Sequence, residues 1–131
     1  MLTCLNSVPI NTAVATRFVD YLTETFQYQS TLAYLKDPLP GYQQPAVDVL
    51  SRLSEIKSNV GLGAYENEYA FEVDVQRLIH AFHDGHVNLF SGILFPFTFG
   101  SPVDIVSVSA DGKSPPALYL RGILTARVDA H

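Results

Sequence analysis

One cysteine stands among the 131 residues, Cys4, so no disulfide can close within the chain. That points to a reducing compartment or to a partner thiol elsewhere, and the second option keeps secretion open. Charge is also scarce: Asp, Glu, Lys and Arg make up 16 % of the residues, with a net charge of −5. Basic residues form no run and do not alternate with aromatics. Nucleic acid is therefore excluded as a partner, because phosphate contacts need clustered Lys and Arg. No apolar stretch approaches the ~18 residues of a membrane span, so no membrane partner is expected. The opening "MLTCLNSVPI" lacks the basic and apolar regions of a signal peptide. Apolar residues, by contrast, make up 47 %. A chain this long makes one domain and buries roughly two-thirds of its unfolded surface. The apolar surplus fits a piece covered in part by another domain or subunit.

Three helical patterns come first. In "NTAVATRFVDYLTETF" the apolar positions Val14, Phe18, Tyr21 or Leu22, and Phe26 recur at helical spacing, and Asn11 suits the N-cap. "STLAYL" continues the helix after a bend, and "KDPLPGYQQP" breaks it. Pro45 suits the first turn of a second helix, with Val47, Leu50, Leu53, Ile56 and Val60 as its stripe and Gly61 and Gly63 as its stop. Asn67 suits the N-cap of a third, striped by Phe71, Val75, Leu78, Ile79 and Phe82 and ending around His83 to Gly85.

The character then changes. "HVNLF", "FPFTF", "VDIVSVS" and "PALYLR" read as short strands, and Asp111-Gly112 carries the signal of a tight turn. Helices followed by strands make an α+β order rather than an alternating one. The expected division is a helical region over residues 1–100 that ends in short strands, then the opening of a second module over 101–131.

Chemistry, if any, lies in "LIHAFHDGHVNLF". His80, His83 and His86 are spaced i, i+3, i+6. On one continuous helix the outer two would stand about 240° apart, too far to share an ion. Only a break at Asp84-Gly85 would let His86 swing back, so a metal site is disfavoured. His80 and His83 suit the C-terminal end of a helix, where donors meet free carbonyls and the helix dipole. His86 differs, because Gly85 lets the chain turn sharply ahead of it. A loop imidazole can serve as general base, although on the residues alone a lone histidine is more often structural. Ser91 has no nucleophile-elbow motif and reads as a turn serine beside Gly92. Cys4 has no basic neighbour to activate it. Gly61 and Gly63 lack the Lys-Ser/Thr of a phosphate loop, and no cofactor is implied. Glu66, Glu68 and Glu72 read as a solvated acidic patch at a helix start.

Together "CLNSVPIN", "YQSTLAYLKDPLPGYQQPAVDVLSRL", "NEYAFEVDVQRLIHAFHDGHVN" and "VDIVSVSADGKSPPALYL" resemble the N-terminal region of fungal serine peptidases of the tail-specific protease family, family forty-one of the serine peptidases. The branch is similar to the chlamydial protease/proteasome-like activity factor. The resemblance runs from about Cys4 to Leu120. It implies a helical N-terminal region, then a PDZ-like module whose entry alone lies in this sequence, then a catalytic domain that does not. It implies that His86 is the general base, with Asp84 as neighbouring support in Asp84-Gly85-His86. It also implies a serine nucleophile, an oxyanion hole and a further carboxylate that these residues do not supply. The chain departs from the pattern in having no secretion signal, although the family is usually secreted, and in its tail after Leu120. The expectation is a truncated gene product, a split fragment or one piece of a heteromer, inert by itself. Its partners would be a peptide or protein substrate and a catalytic-domain fragment or paralogue. Some relatives lie in gene clusters for ribosomally made cyclic peptide toxins, which implies a role in trimming such a precursor. The alternative is a non-catalytic binding or regulatory remnant of peptidase descent.

Overall fold

The structure is a computed structural model that describes residues 2–90, 92–97, 100 and 103–120. Ser91, the end of "FPFTF", and the tail beyond Leu120 lie outside the described residues. Those described form five helices, α1 (Leu2–Asn6), α2 (Thr12–Phe26), α3 (Leu32–Lys36), α4 (Val49–Gly61) and α5 (Glu68–His80), followed by strands β1 (Ile105–Val108) and β2 (Ala117–Leu120). The α+β order expected from the sequence is the observed one. They fall into two compact units, one within residues 1–97 and one within 98–131.

Local chemistry sets the ends of the long helices. The side chains of Asn11, Asp48 and Asn67 accept hydrogen bonds from the amides of Val14, Ser51 and Ala70, so each supplies a partner for one of the orphan donors at its helix start. Asp48 therefore opens the helix expected to begin at Pro45, which lies before it in irregular chain. A side-chain acceptor serves exposed amides, and the proline offers none. At the other end of α4, Gly63 takes a left-handed φ of 67°. The amides of Gly63 and Ala64 then reach back to the carbonyls of Val60 and Asn59, the paired bonds of a Schellman stop.

The core of the first unit lies where α2 packs on α4 and α4 on α5. Val19, Leu53, Ile56 and Val75 have no solvent-exposed surface at all. The stripes expected on α4 and α5 are largely those buried. On α4 the outermost position shifts to Val49, with Val47 and Leu50 half-buried. On α2 the stripe is rotated by about one residue: Ala15, Val19 and Leu22 are buried, Phe18 and Phe26 flank them, and Val14 and Tyr21 lie exposed. Two adjacent apolar strips run along this helix. The one with a small residue permits the closer approach of helices, and it wins. Edge-to-face rings add to the packing, Phe18 on Phe71 at 6.5 Å and Tyr65 on Phe71 at 5.6 Å.

A polar network closes one side. Asp74 accepts from the Tyr65 hydroxyl at 2.7 Å and from Arg52 at 2.6 Å, and Arg52 also pairs with Glu55. Burial, then the bond to Asp74, pushes the Tyr65 phenol up to about 12 from its ordinary 10.0. None of the described helices is long and apolar enough to cross a membrane.

Residues 86–90, expected as a strand, are irregular, and so are residues 95–97. The side chains of Val87 and Leu89 pack on the helical core, so the apolar alternation that suggested a strand instead anchors a loop. In the second unit β1 and β2 pair antiparallel, with Ile105 opposite Leu120 and Val108 opposite Ala117. Their connection is an eight-residue loop over 109–116 rather than a two-residue turn. The Asp111 carboxylate organises it, accepting from the amides of Lys113 and Ser114 and from the Ser114 hydroxyl. Those bonds to the ionised form hold its carboxyl far below the usual range.

Leu53→Ala should lower the stability of the first unit by about 2–5 kcal/mol, read as a lower urea midpoint at unchanged slope. Tyr65 has a raised folded pKa, so its contribution is whole below pH 10.0 and is lost as pH rises toward about 12. Stability measured across that window should fall, and Tyr65→Phe should flatten this part of the profile.

Candidate functional site

The three histidines part company at the end of α5. Helical bonding closes with the Ala81 amide on the Arg77 carbonyl. Phe82 is then buried against Phe26, ring centroids 4.9 Å apart. His83 comes next with a φ of 50°, the one positive value outside glycine among the described residues. Left-handed backbone costs a residue with a Cβ roughly 1–2 kcal/mol, although histidine enters it more readily than most. Asp84, Gly85 and His86 follow outside the helix. Gly85 itself has no positive φ, so the bend expected there is made two residues earlier, at His83.

Asp84 holds the chain beyond this bend. Its Oδ1 accepts from the His86 amide at 2.9 Å and lies 3.1 Å from His86 Nδ1. The Val87 amide donates to the Asp84 carbonyl, and Asn88 donates from its side chain to the Gly85 carbonyl at 2.7 Å. With Val87 and Leu89 packed on the core, the loop is held along its length. The His86 side chain is 99 % exposed and that of Asp84 30 %. A carboxylate beside Nδ1 favours the tautomer with the proton there, leaving Nε2 as the acceptor facing solvent. A general base needs that disposition. The pair adds little stability, because water screens it. Its value is orientation.

The other histidines have other company. His80 Nε2 lies 3.0 Å from the side chain of Gln76, one turn back on α5. His83 is exposed. Among the described residues no three His, Cys, Asp or Glu side chains are grouped as a metal ion would need. Cys4 is exposed, on a different part of the chain. Ser91 lies outside the described residues. The ring partner of His86 among the described residues is Asp84 alone.

The acidic patch differs from the solvated one expected. Glu72 is 9 % exposed rather than solvated. Its carboxylate accepts from the amides of Ile93 and Leu94 at 3.0 to 3.3 Å, fastening the segment beyond the His86 loop to α5. A Cβ at Gly92 would come within 3.3 Å of its Oε1, so the backbone approaches closely there. Glu68, nearby, has its carboxyl raised by burial and then by the charge of Glu72. The signal for Glu72 was present, because it shares a helix face with Val75 and Ile79 at i+3 and i+7. A carboxylate on an apolar stripe is buried and must find donors.

A groove of about 460 Å³ opens beside His86, between the chain from Thr31 to Tyr42 and the turn from Phe82 to His86. No local sequence pattern signals it, since its two walls are some 40 residues apart in the chain.

The Asp84 carboxyl is held below its ordinary 3.8, first by the His86 amide and then by the ring. Its contribution is therefore whole above pH 3.8 and lost as pH falls through the lower folded value. Carbon NMR should show Asp84 titrating below 3.8. His86→Ala should move it only part of the way back, because the amide still donates.

Over 86 residues, 64 % of its length, the chain is 37 % identical to the "Peptidase S41 family protein phomP1'" of Diaporthe leptostromiformis. It is 36 % identical over the same length to "Peptidase S41 family protein phomP1" of that fungus. The chain spans 13 % of each relative's length. No protein-family model matches it, and no solved structure does. Over about two-thirds of its residues, then, the chain is similar to fungal proteins of the S41 peptidase family.

Proposed function

We propose that these residues are the helical N-terminal part of a serine peptidase of the tail-specific S41 family, in a branch similar to the chlamydial protease/proteasome-like activity factor, and that they contribute the general base, His86. The hairpin β1–β2 is then the entry to a PDZ-like module. The observation that carries the reading is the His86 imidazole itself, held at Nδ1 by Asp84 and open to solvent at Nε2. Similarity to two fungal S41 peptidase family proteins supports it.

The chemistry is acyl transfer. Nε2 of His86 takes the hydroxyl proton of a serine supplied from outside these 131 residues as the serine oxygen bonds to the scissile carbonyl carbon. The proton then passes to the amine nitrogen as the carbon–nitrogen bond breaks, and a second round with water releases the acyl group. Amide donors for the oxyanion come from the polypeptide that brings the serine. The substrate is a peptide or protein, and a ribosomally made precursor of a cyclic peptide toxin is the specific case proposed. The isolated chain is inert, since an imidazole without its nucleophile forms no acyl intermediate.

A second reading is a non-catalytic binding remnant. It is favoured by the lone partnership of His86 with Asp84 among the described residues.

The test is peptide cleavage by the chain combined with the catalytic region of an S41 peptidase. The expected result is no turnover by the chain alone, turnover on combination, and a loss of about 10²–10⁴-fold with His86→Ala. Cleavage by the combination that is indifferent to His86→Ala would remove the general base. Peptide binding with no turnover in any combination would favour the remnant.

A further inference from the structure

We propose that the groove beside His86 is a side-chain subsite that seats an uncharged apolar or aromatic residue of the peptide substrate. This rests on the reading of His86 as general base and adds to it a substrate class.

The groove's volume, about 460 Å³, is that of a small-ligand cleft. Tyr34, Leu35, Pro38, Leu39 and Tyr42 form one side, and Phe82 lies at its base. No Lys, Arg or Glu lines it, and its one acidic residue, Asp84, already has its Oδ1 engaged by His86. A charged side chain entering here would give up hydration and meet no free counter-charge, whereas an apolar one would shed water at no such cost. The hydroxyls of Thr31, Tyr34 and Tyr42 leave the groove able to accept an aromatic that carries a polar tip.

The wall is built before any ligand arrives. The Val47 amide donates to the Leu35 carbonyl at 2.7 Å, Lys36 pairs with Asp48 at 2.6 Å, and the Tyr42 amide closes a turn on the Leu39 carbonyl. Gly41 makes that turn with a φ of 91°. Yet the same wall leaves Tyr34 63 %, Leu39 68 % and Tyr42 49 % exposed. Large apolar side chains held in water on a braced segment mark a surface that another group covers.

What covers it is set by continuity with His86. The turn from His83 to His86 is at once the second wall of the groove and the mount of the imidazole. His83, which lines the groove, has a left-handed backbone, and strain of that kind gathers at ligand sites. A side chain seated between Leu39 and Phe82 leaves its own backbone at the rim that carries His86. The occupant is thus a residue next to the bond attacked.

The test is an NMR titration of the 131-residue chain with the peptide acetyl-Ala-Ala-Phe-Ala-Ala-amide and with versions bearing Asp or Lys in place of Phe. The Phe peptide should give saturable shifts in the ring signals of Tyr34, Tyr42 and His86, with affinity about tenfold or more above the charged versions. Leu39→Asp should abolish these shifts while leaving the methyl signals of Val75 unmoved, which shows that the fold is intact. Equal binding of all three peptides, or no shift at roughly millimolar peptide, would overturn the subsite. So would shifts that appear on raising protein concentration without peptide, which would make a second copy the occupant. Cleavage by the combined enzyme separates this from the reading beneath it. Loss of the Phe preference with His86 dependence kept sinks the subsite alone. Phe-selective binding with cleavage indifferent to His86→Ala sinks the general base alone.

Discussion

Burial of Phe82 is the constraint on which the site depends. Its ring is 3 % exposed and stacks at a tilt on Phe26, one residue after the end bond of α5. The backbone changes direction immediately after this ring. His83 does this with a left-handed φ. The next residues are then cantilevered off the core rather than continuing the helix, and Val87 and Leu89 return the chain to that core a few positions later. His86 stands between buried Phe82 and the partly buried Val87 and Leu89.

Carboxylates accepting backbone amides shape the irregular parts of both units. Asp48 opens α4, Glu72 fastens residues 93 and 94, and Asp111 organises the loop of the hairpin. Each replaces water on amides that secondary structure leaves unpaired. Asp84 uses the same device on the His86 amide and adds the imidazole of the same residue. In this molecule one ordinary loop-capping interaction doubles as the orientation of an imidazole. That economy also distinguishes it from a buried, distant carboxylate, because Asp84 is two residues away and in partial contact with water.

Much of the fold was legible because caps and stripes are local. Asn11 and Asn67 declared two helix starts, and the face of α5 followed from 3.6-residue spacing alone. The rotation of α2 was not legible, because Val14 and Ala15 offer competing strips and only the partner helix decides between them. The residues from His86 to Phe90 alternate like a strand but have no neighbour to pair with among the described residues, so their apolar positions dock on helices instead. Periodicity reports which side chains seek burial; it does not report what buries them. At the site, the separation of about 240° between His80 and His86 assumed one continuous helix, whereas α5 ends at His80 and both His83 and His86 lie beyond it. The bend was placed at Gly85, whereas the left-handed φ falls at His83, next to buried Phe82. Glu72 was misjudged because its sequence neighbours are acidic while its helix-face neighbours are apolar. The groove depends on two distant segments, and no local pattern encodes it.

The central claim is that His86 activates a serine carried on another polypeptide or segment. Reaction with a fluorophosphonate tests it most directly, because that reagent labels a serine only as fast as a nearby base removes the hydroxyl proton. Combined with an S41 catalytic region, the chain should cause a single serine of that region to be labelled, and His86→Gln should slow the labelling by about 10²-fold or more. A labelling rate that is the same with histidine or glutamine at this position would contradict the account.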